Sequence, residues 1–536
     1  MKKKVLLAMA ILATACLTGC NLNVSFTPDE PASGMVSEAE SEDIKVTENE
    51  SGSVQNSESE ATQNSGNNSG TAVETSQAIQ IDFESVYESN DNPFLWSVSY
   101  EYPVLDDERY PALSLAIQDY RMAYVRNIEA ARDELAAMAE QDYAEWGAES
   151  WMGYYTIDES MTVKRADATA VSILEQGYLY QGGAHGSDGF GCFNVDTQTG
   201  DIITLNDVVT DMNALSGIIA TEMLELYPDI TYFTPTLEET IDMYINPELT
   251  LTWTLDYNGV TFYFGSYEIG TYADGRQQVT VLFSEYPSLF NSYYFNNVTD
   301  DYVIPASAWG TLDVDLDADG DTNHISVVEN YTNPAEGFSS FTVRVNGQEY
   351  TQDALGWVLK PYYVRANAKS YLYVTAETEG DFAESFVYEI TGSSIVYKGT
   401  FNGAVKYFTN SSDFCVTERM NMVSTVIGVA RCYVGADGMP VNKSGTYEIY
   451  KSEEIILTSL REITAELVDA NGNLTGESYT FPVGTTFQYI CTDGKIYVDV
   501  LASDGQYCRF YTTSEGWPPT VNGMDATECF ETVYAF

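Results

Sequence analysis

The chain has 536 residues, of which 80 are acidic and 24 basic, for a formal net charge of −56. That excess repels phosphate backbones and anionic membrane surfaces, which excludes nucleic-acid binding and favours a cationic partner, a divalent metal or plain solubility. Hydrophobic residues still make up 44% of the chain, and the roughly 455 residues that follow a polar leader correspond to two to four domains.

Met1-Lys2-Lys3-Lys4 precedes an apolar run from Val5 to Leu17. A charged start and a short apolar stretch are the parts of an export signal, and the run falls short of the about 20 residues a membrane span needs. It ends in Leu17-Thr18-Gly19-Cys20, which resembles the lipobox of bacterial lipoproteins. The resemblance implies a leader over 1–20, cleavage before Cys20, and diacylglycerol on its thiol. The mature chain would then be anchored by lipid to the outer face of the cell membrane, two acyl chains being enough for stable attachment. Residues 21–79 are rich in Ser, Glu, Asn, Thr and Gly and cannot bury enough apolar surface to offset the entropy of ordering. They are expected to be a flexible tether with a mean reach on the order of 40 Å.

Residues 80–296 are expected to form an α+β region. Trp96–Val104 alternates as a strand does, and Pro111 opens a long helix whose apolar positions, Leu113 through Met138, step by three or four. Strands are expected at 162–168 and 170–180, then a glycine-rich turn, Gly182-Gly183-Ala184-His185-Gly186, and a strand with a tight turn through Asn194-Val195-Asp196 and Thr199-Gly200. Helices follow at 213–226 and 237–244, and strands at 251–255, 259–264 and 278–283. Gly182–Gly186, the Asn194–Gly200 turn, Tyr267-Glu268-Ile269 and Tyr272-Ala273 with Gly275 recur in this order in one extracytoplasmic family. The region resembles the RsiV/PdaC-type domain, shared by a lysozyme-sensing anti-sigma factor and a peptidoglycan deacetylase. The resemblance implies an α/β fold on a curved antiparallel sheet and recognition of lysozyme or of the wall. The chain carries neither a sigma-binding segment nor a deacetylase domain. His185 could serve as a general base or a ligand, with Asp188 and Glu268 as conceivable partners. No zinc-peptidase helix motif and no nucleophile elbow accompanies it. The alternative is a turn in which glycine supplies unusual backbone angles and His185 bonds locally.

Residues 297–455 are expected to be β-rich, with strands near 341–345, 371–375, 385–390 and 394–397. Asp315-Leu316-Asp317-Ala318-Asp319-Gly320-Asp321-Thr322-Asn323 alternates short oxygen side chains around a glycine, as a hard-cation loop requires. Side chains of Asp315, Asp317, Asp319 and Asn323 and the carbonyl of Asp321 would hold calcium. The flanks read as strands, and Ser326 replaces the glutamate of a helix-flanked loop. The loop resembles those of β-propeller repeats. Turn dipeptides across 456–536 suggest an SH3-like barrel. Cys192, Cys415, Cys432, Cys491, Cys508 and Cys529 form no Cys-x-x-Cys pair. Cys415 with Cys432 and Cys491 with Cys508 could face each other across hairpins, and free thiols are equally open.

The sequence favours a non-enzymatic, lipid-anchored surface protein that binds peptidoglycan or a cationic wall-acting protein such as lysozyme. The alternatives are a wall-modifying enzyme centred on His185 and a calcium-stabilised accessory lipoprotein.

Overall fold

The computed structural model describes residues 79–531, apart from 91, 149, 152, 234–235, 246–250, 318, 381 and 514–517. The leader, Cys20 and the tether lie outside the described residues.

Asp82–Ser89 (β1) and Trp96–Val104 (β2) pair as an antiparallel hairpin. Val86 and Tyr100 share one face, and Ser85, Tyr87, Ser99 and Glu101 share the other. Helix α1 follows over Pro111–Trp146, with proline in its first turn, where a missing N–H costs nothing. Its buried stripe of Leu113, Ile117, Tyr120, Tyr124, Ile128 and Leu135 covers the hairpin's apolar face. Strands β3 (Tyr155–Ala166), β4 (Ala170–Tyr180) and β5 (Ser187–Asp196) complete a five-stranded sheet in sequence order.

The expected wholly antiparallel sheet is corrected here: Trp96–Ser99 and Tyr155–Asp158 pair in parallel. The physical reason is α1, because a long helical crossover carries the chain back to the end where β2 began, as parallel neighbours require. The parallel ladder stops at Ser99 and Asp158. Beyond it β2 pairs with β1 and β3 with β4, so the sheet splits.

The next unit packs helices α2 (Leu205–Val208), α3 (Met212–Leu226) and α4 (Leu237–Ile245) with an antiparallel sheet of β6 (Thr252–Leu255), β7 (Gly259–Phe264) and β8 (Gln277–Leu282). Its core includes Leu215, Ile219, Trp253, Phe262 and Val281. Buried hydrogen bonds tie it to the first sheet: Asn194 Nδ2 donates to the Trp253 carbonyl at 3.1 Å, and the Leu255 N–H to Ser172 Oγ at 3.0 Å.

The rest is β structure, as expected. One four-stranded sheet runs β10 (Leu312–Val314), β11 (Asn323–Asn330), β12 (Phe338–Val345) and β13 (Gln348–Gly356). A second contains β9 (Tyr302–Pro305), β14 (Val358–Ala366), β15 (Lys369–Glu377), β16 (Ala383–Thr391) and β17 (Ser394–Asn402). They share a core of Phe341, Val343, Leu372, Val374 and Phe386. A last sheet holds β18 (Ala404–Lys406), β19 (Phe414–Asn421), β20 (Thr425–Val434), β21 (Pro440–Asn442), β22 (Tyr447–Ile449) and the strands that follow. Strand β22 pairs with β20 on one side and with Thr486–Thr492 on the other, so this sheet runs continuously past residue 455.

Of the two alternatives the sequence left open for these cysteines, the hairpin pairings do not form. Cys415 lies opposite Arg431 and Phe414 opposite Cys432, so the two thiols point to opposite faces. Cys491 and Cys508 sit on strands separated by Tyr497–Ala502. These four and Cys529 are free thiols, whereas Cys192 is disulfide-bonded. Burial pushes the Cys432 and Cys508 thiols up to about 12, which leaves them inert at neutral pH.

Candidate functional site

The glycine-rich turn joins β4 to β5. Gly182 and Gly183 take φ of +80° and +108°, angles that favour glycine. A Cβ at Gly186 would meet the far end of the Tyr178 ring at 2.4 Å, so a side chain there would displace that ring. His185 Nδ1 donates to the Gly186 carbonyl at 2.8 Å, and its ring stacks on Tyr272 with centroids 3.8 Å apart. Tyr267, held at a φ of +72°, packs against Tyr272. Asp188 and Glu268 lie close by, but not as hydrogen-bond partners of His185. Glu268 Oε2 accepts the Gly265 N–H at 2.8 Å, and burial pushes its carboxyl up to about 7. Asp188 Oδ2 faces Arg276 Nε at 3.8 Å.

Through Tyr178 the turn abuts a groove of about 560 Å³ on the open face of the five-stranded sheet. The split between β2 and β3 forms its floor, and Glu101 Oε2 accepts the Met161 N–H across that split at 3.4 Å. Tyr87 and Tyr178 expose their rings, and Trp309 with Arg276 stacked 4.7 Å above it closes one wall. Ser85, Ser99, Ser160 and Gln176 supply neutral polar groups, while Glu101 and Asp158 supply carboxyls. No local pattern in the chain marks this groove. Its parts come from β1 to β4, the approach to β8 and the loop after β9, and nothing in a linear pattern brings these together.

The acidic loop draws three of its expected ligands together. Carboxylate oxygens of Asp315, Asp317 and Asp319 lie within 4.8 Å of one another. Gly320, at φ +93°, makes the turn, and its N–H donates to Asp315 Oδ2 at 3.1 Å. Asp315 Oδ1 is buried without a hydrogen-bond partner, the orphaned acceptor a cation would satisfy. The Asp321 N–H donates to Asp319 Oδ1 at 2.9 Å. Asn323 Oδ1 accepts the Leu316 N–H at 2.7 Å and braces the loop from within.

Comparison with known proteins finds one family match, over α2–α4 and β6–β8. Residues 204–284 match the model of DUF3298, a protein family of unknown function. The DUF3298 domain contributes Glu268, Tyr267, Tyr272 and Arg276, whereas Gly182–Gly186 and most of the groove precede it. A solved DUF3298-family protein from Bacteroides fragilis is 20% identical, with a TM-score of 0.32, covering 40% of this chain and 96% of that one. One from Pseudomonas aeruginosa is 15% identical, with a TM-score of 0.27 and the same coverage. No curated protein matches the chain.

Proposed function

We propose that the protein is a lipid-anchored binding protein of the bacterial cell surface that recognises peptidoglycan through the groove beside the β2–β3 split. The groove's chemistry carries this reading. Flat aromatic rings suit the apolar faces of sugar rings, while hydroxyl, amide and carboxylate groups suit their hydroxylated rims. The lipobox-like Cys20 and the tether would hold that groove at the wall, and the RsiV/PdaC-type resemblance supports a wall ligand.

A second reading, recognition of a cationic wall-acting protein such as lysozyme, is favoured by the net charge of −56. Steering of that kind accelerates association and weakens with salt. An enzyme centred on His185 is less well supported, because His185 engages its own turn and stacks on Tyr272. Calcium at Asp315, Asp317 and Asp319 would stiffen the β region, and the orphaned Asp315 Oδ1 supports it. An SH3-like contact to wall peptides would be sought beside the exposed Tyr479 and Tyr511.

The test is sedimentation of the full chain with purified peptidoglycan, and in parallel its titration with lysozyme, at low and moderate salt. Saturable peptidoglycan binding that Trp309→Ala and Tyr178→Ala weaken at least tenfold is the expected result. Salt-sensitive binding to lysozyme alone would transfer the function to the second reading, and binding to neither would overturn both.

A further inference from the structure

Three rings stand together at the end of the first sheet where β4 turns into β5. His185 and Tyr272 stack with centroids 3.8 Å apart, and Tyr267 lies 6.0 Å from His185 and 5.4 Å from Tyr272. His185 is exposed, and Tyr267 is 46% exposed. The bond from His185 Nδ1 to the Gly186 carbonyl fixes the imidazole in place. Tyr267 holds a φ of +72°, a backbone conformation that disfavours a bulky side chain. Strain of this kind gathers at ligand clamps and similar sites. Core packing does not account for it, because nearly half of the Tyr267 surface meets solvent.

The rings are continuous with the groove. Tyr178, on the groove wall, sets the end of its ring on Gly186, whose N–H faces the Tyr178 hydroxyl. Burial and, less strongly, the nearby Tyr272 hydroxyl push the Tyr178 hydroxyl up. Asp188 pairs with Tyr178 across β4 and β5, and its Oδ2 accepts the Ser266 N–H at 3.4 Å beside Tyr267. The same oxygen faces Arg276, which stacks on Trp309 in the groove. One strip therefore runs from Trp309 by way of Arg276, Asp188 and Tyr178 to Tyr267. The turn beside it is bare: a Cβ at Gly183 would meet nothing within 4 Å.

Aromatic rings at both ends of a polar strip suit a ligand that repeats an apolar face with a hydroxylated rim, which is the pattern of a glycan strand. A cationic side chain suits the strip less well, because Arg276 and the Ser266 N–H already engage Asp188. We infer that His185, Tyr267 and Tyr272 form a second sugar-binding platform continuous with the groove, so that the site takes an extended glycan strand in preference to an isolated disaccharide. The inference rests on the reading of the groove as a peptidoglycan site.

Calorimetric titration of the full chain with peptide-free peptidoglycan glycan tests it, the probes being a single disaccharide unit and a long strand. The parent chain should bind the strand at least tenfold more tightly than the disaccharide. Tyr267→Gly removes the ring and suits the φ of +72°, so it should lose most of that ratio at an unchanged melting temperature. Tyr267→Phe keeps the ring and should keep the ratio, while Trp309→Ala should weaken the binding of both probes. A ratio in Tyr267→Gly as large as in the parent would overturn the platform and leave the groove reading standing. Equal binding of strand and disaccharide by the parent would do the same. Failure of both probes to bind would remove the groove reading as well, and lysozyme binding weakened by Tyr267→Gly would then assign the rings to a protein partner.

Discussion

Glu159 and Glu175 show how burial turns single residues into a pH response. Burial raises both carboxyls from 4.5 to about 8, with the charge of Glu175 adding to the effect on Glu159. Between those values the folded chain holds protons that the unfolded chain has released, so stability falls as pH rises through the window and levels off above it. His324, raised by its hydrogen bond to Asp313, acts in the same direction, because its contribution is lost as pH climbs through the folded value. Melting temperature should therefore drop between pH 5 and pH 8.5, and Glu159→Gln should flatten that drop. A melting profile independent of pH in the parent chain would contradict the burial argument. Gly186 offers a second residue-level check. Gly186→Ala pushes its Cβ into the half-exposed Tyr178 ring, which is free to swing outward. Stability should change by only about 0.5 kcal/mol, while peptidoglycan affinity falls as far as in Tyr178→Ala. Retained affinity with a displaced ring would separate Tyr178 from binding. The chain itself announced Gly186, because glycines clustered around a histidine are conspicuous. Glu159 could not be seen in the same way: it is one acid among 80, and its burial beside Glu175 depends on the pairing of β3 with β4.

At the scale of the element, α1 was the most legible part of the chain. An apolar step of three or four maintained from Leu113 through Leu135 leaves a helix one face to bury, and the structure buries that face. Ile128→Ala, at a fully buried position, should cost about 2–5 kcal/mol. Leu115→Ala, 58% exposed on the same helix, should stay within about 0.5 kcal/mol. Urea denaturation of the two variants checks the contrast, and equal losses would mean that the buried face is misassigned. Strand β1 escaped the sequence because Asp82–Ser89 is polar and mostly uncovered, so it shows no alternation of the kind that betrays a half-buried strand. The parallel β2–β3 pairing escaped for another reason. Pairing partners separated by a 36-residue helix leave no local trace, and the groove depends on where that pairing stops.

Over the whole molecule, local patterns located the units but not their joins. The tight turns after residue 455 were visible, yet the pairing of β22 with both β20 and Thr486–Thr492 depends on long-range register. Asp315, Asp317 and Asp319 were legible because one short loop supplies all three. The bond from the Leu316 N–H to Asn323 Oδ1 was not legible, because it depends on how the loop folds back on itself. Calcium should raise the melting temperature of the full chain, and Asp317→Asn should remove most of the rise; an unchanged melting temperature would eliminate the loop as a calcium site. Peptidoglycan binding at the groove beside the split sheet is the proposal on which the other readings depend. Its most direct test is the affinity of the full chain for purified peptidoglycan, measured beside Trp309→Ala. Saturable binding that the substitution weakens at least tenfold at unchanged melting temperature is predicted, and binding indifferent to Trp309 would contradict it.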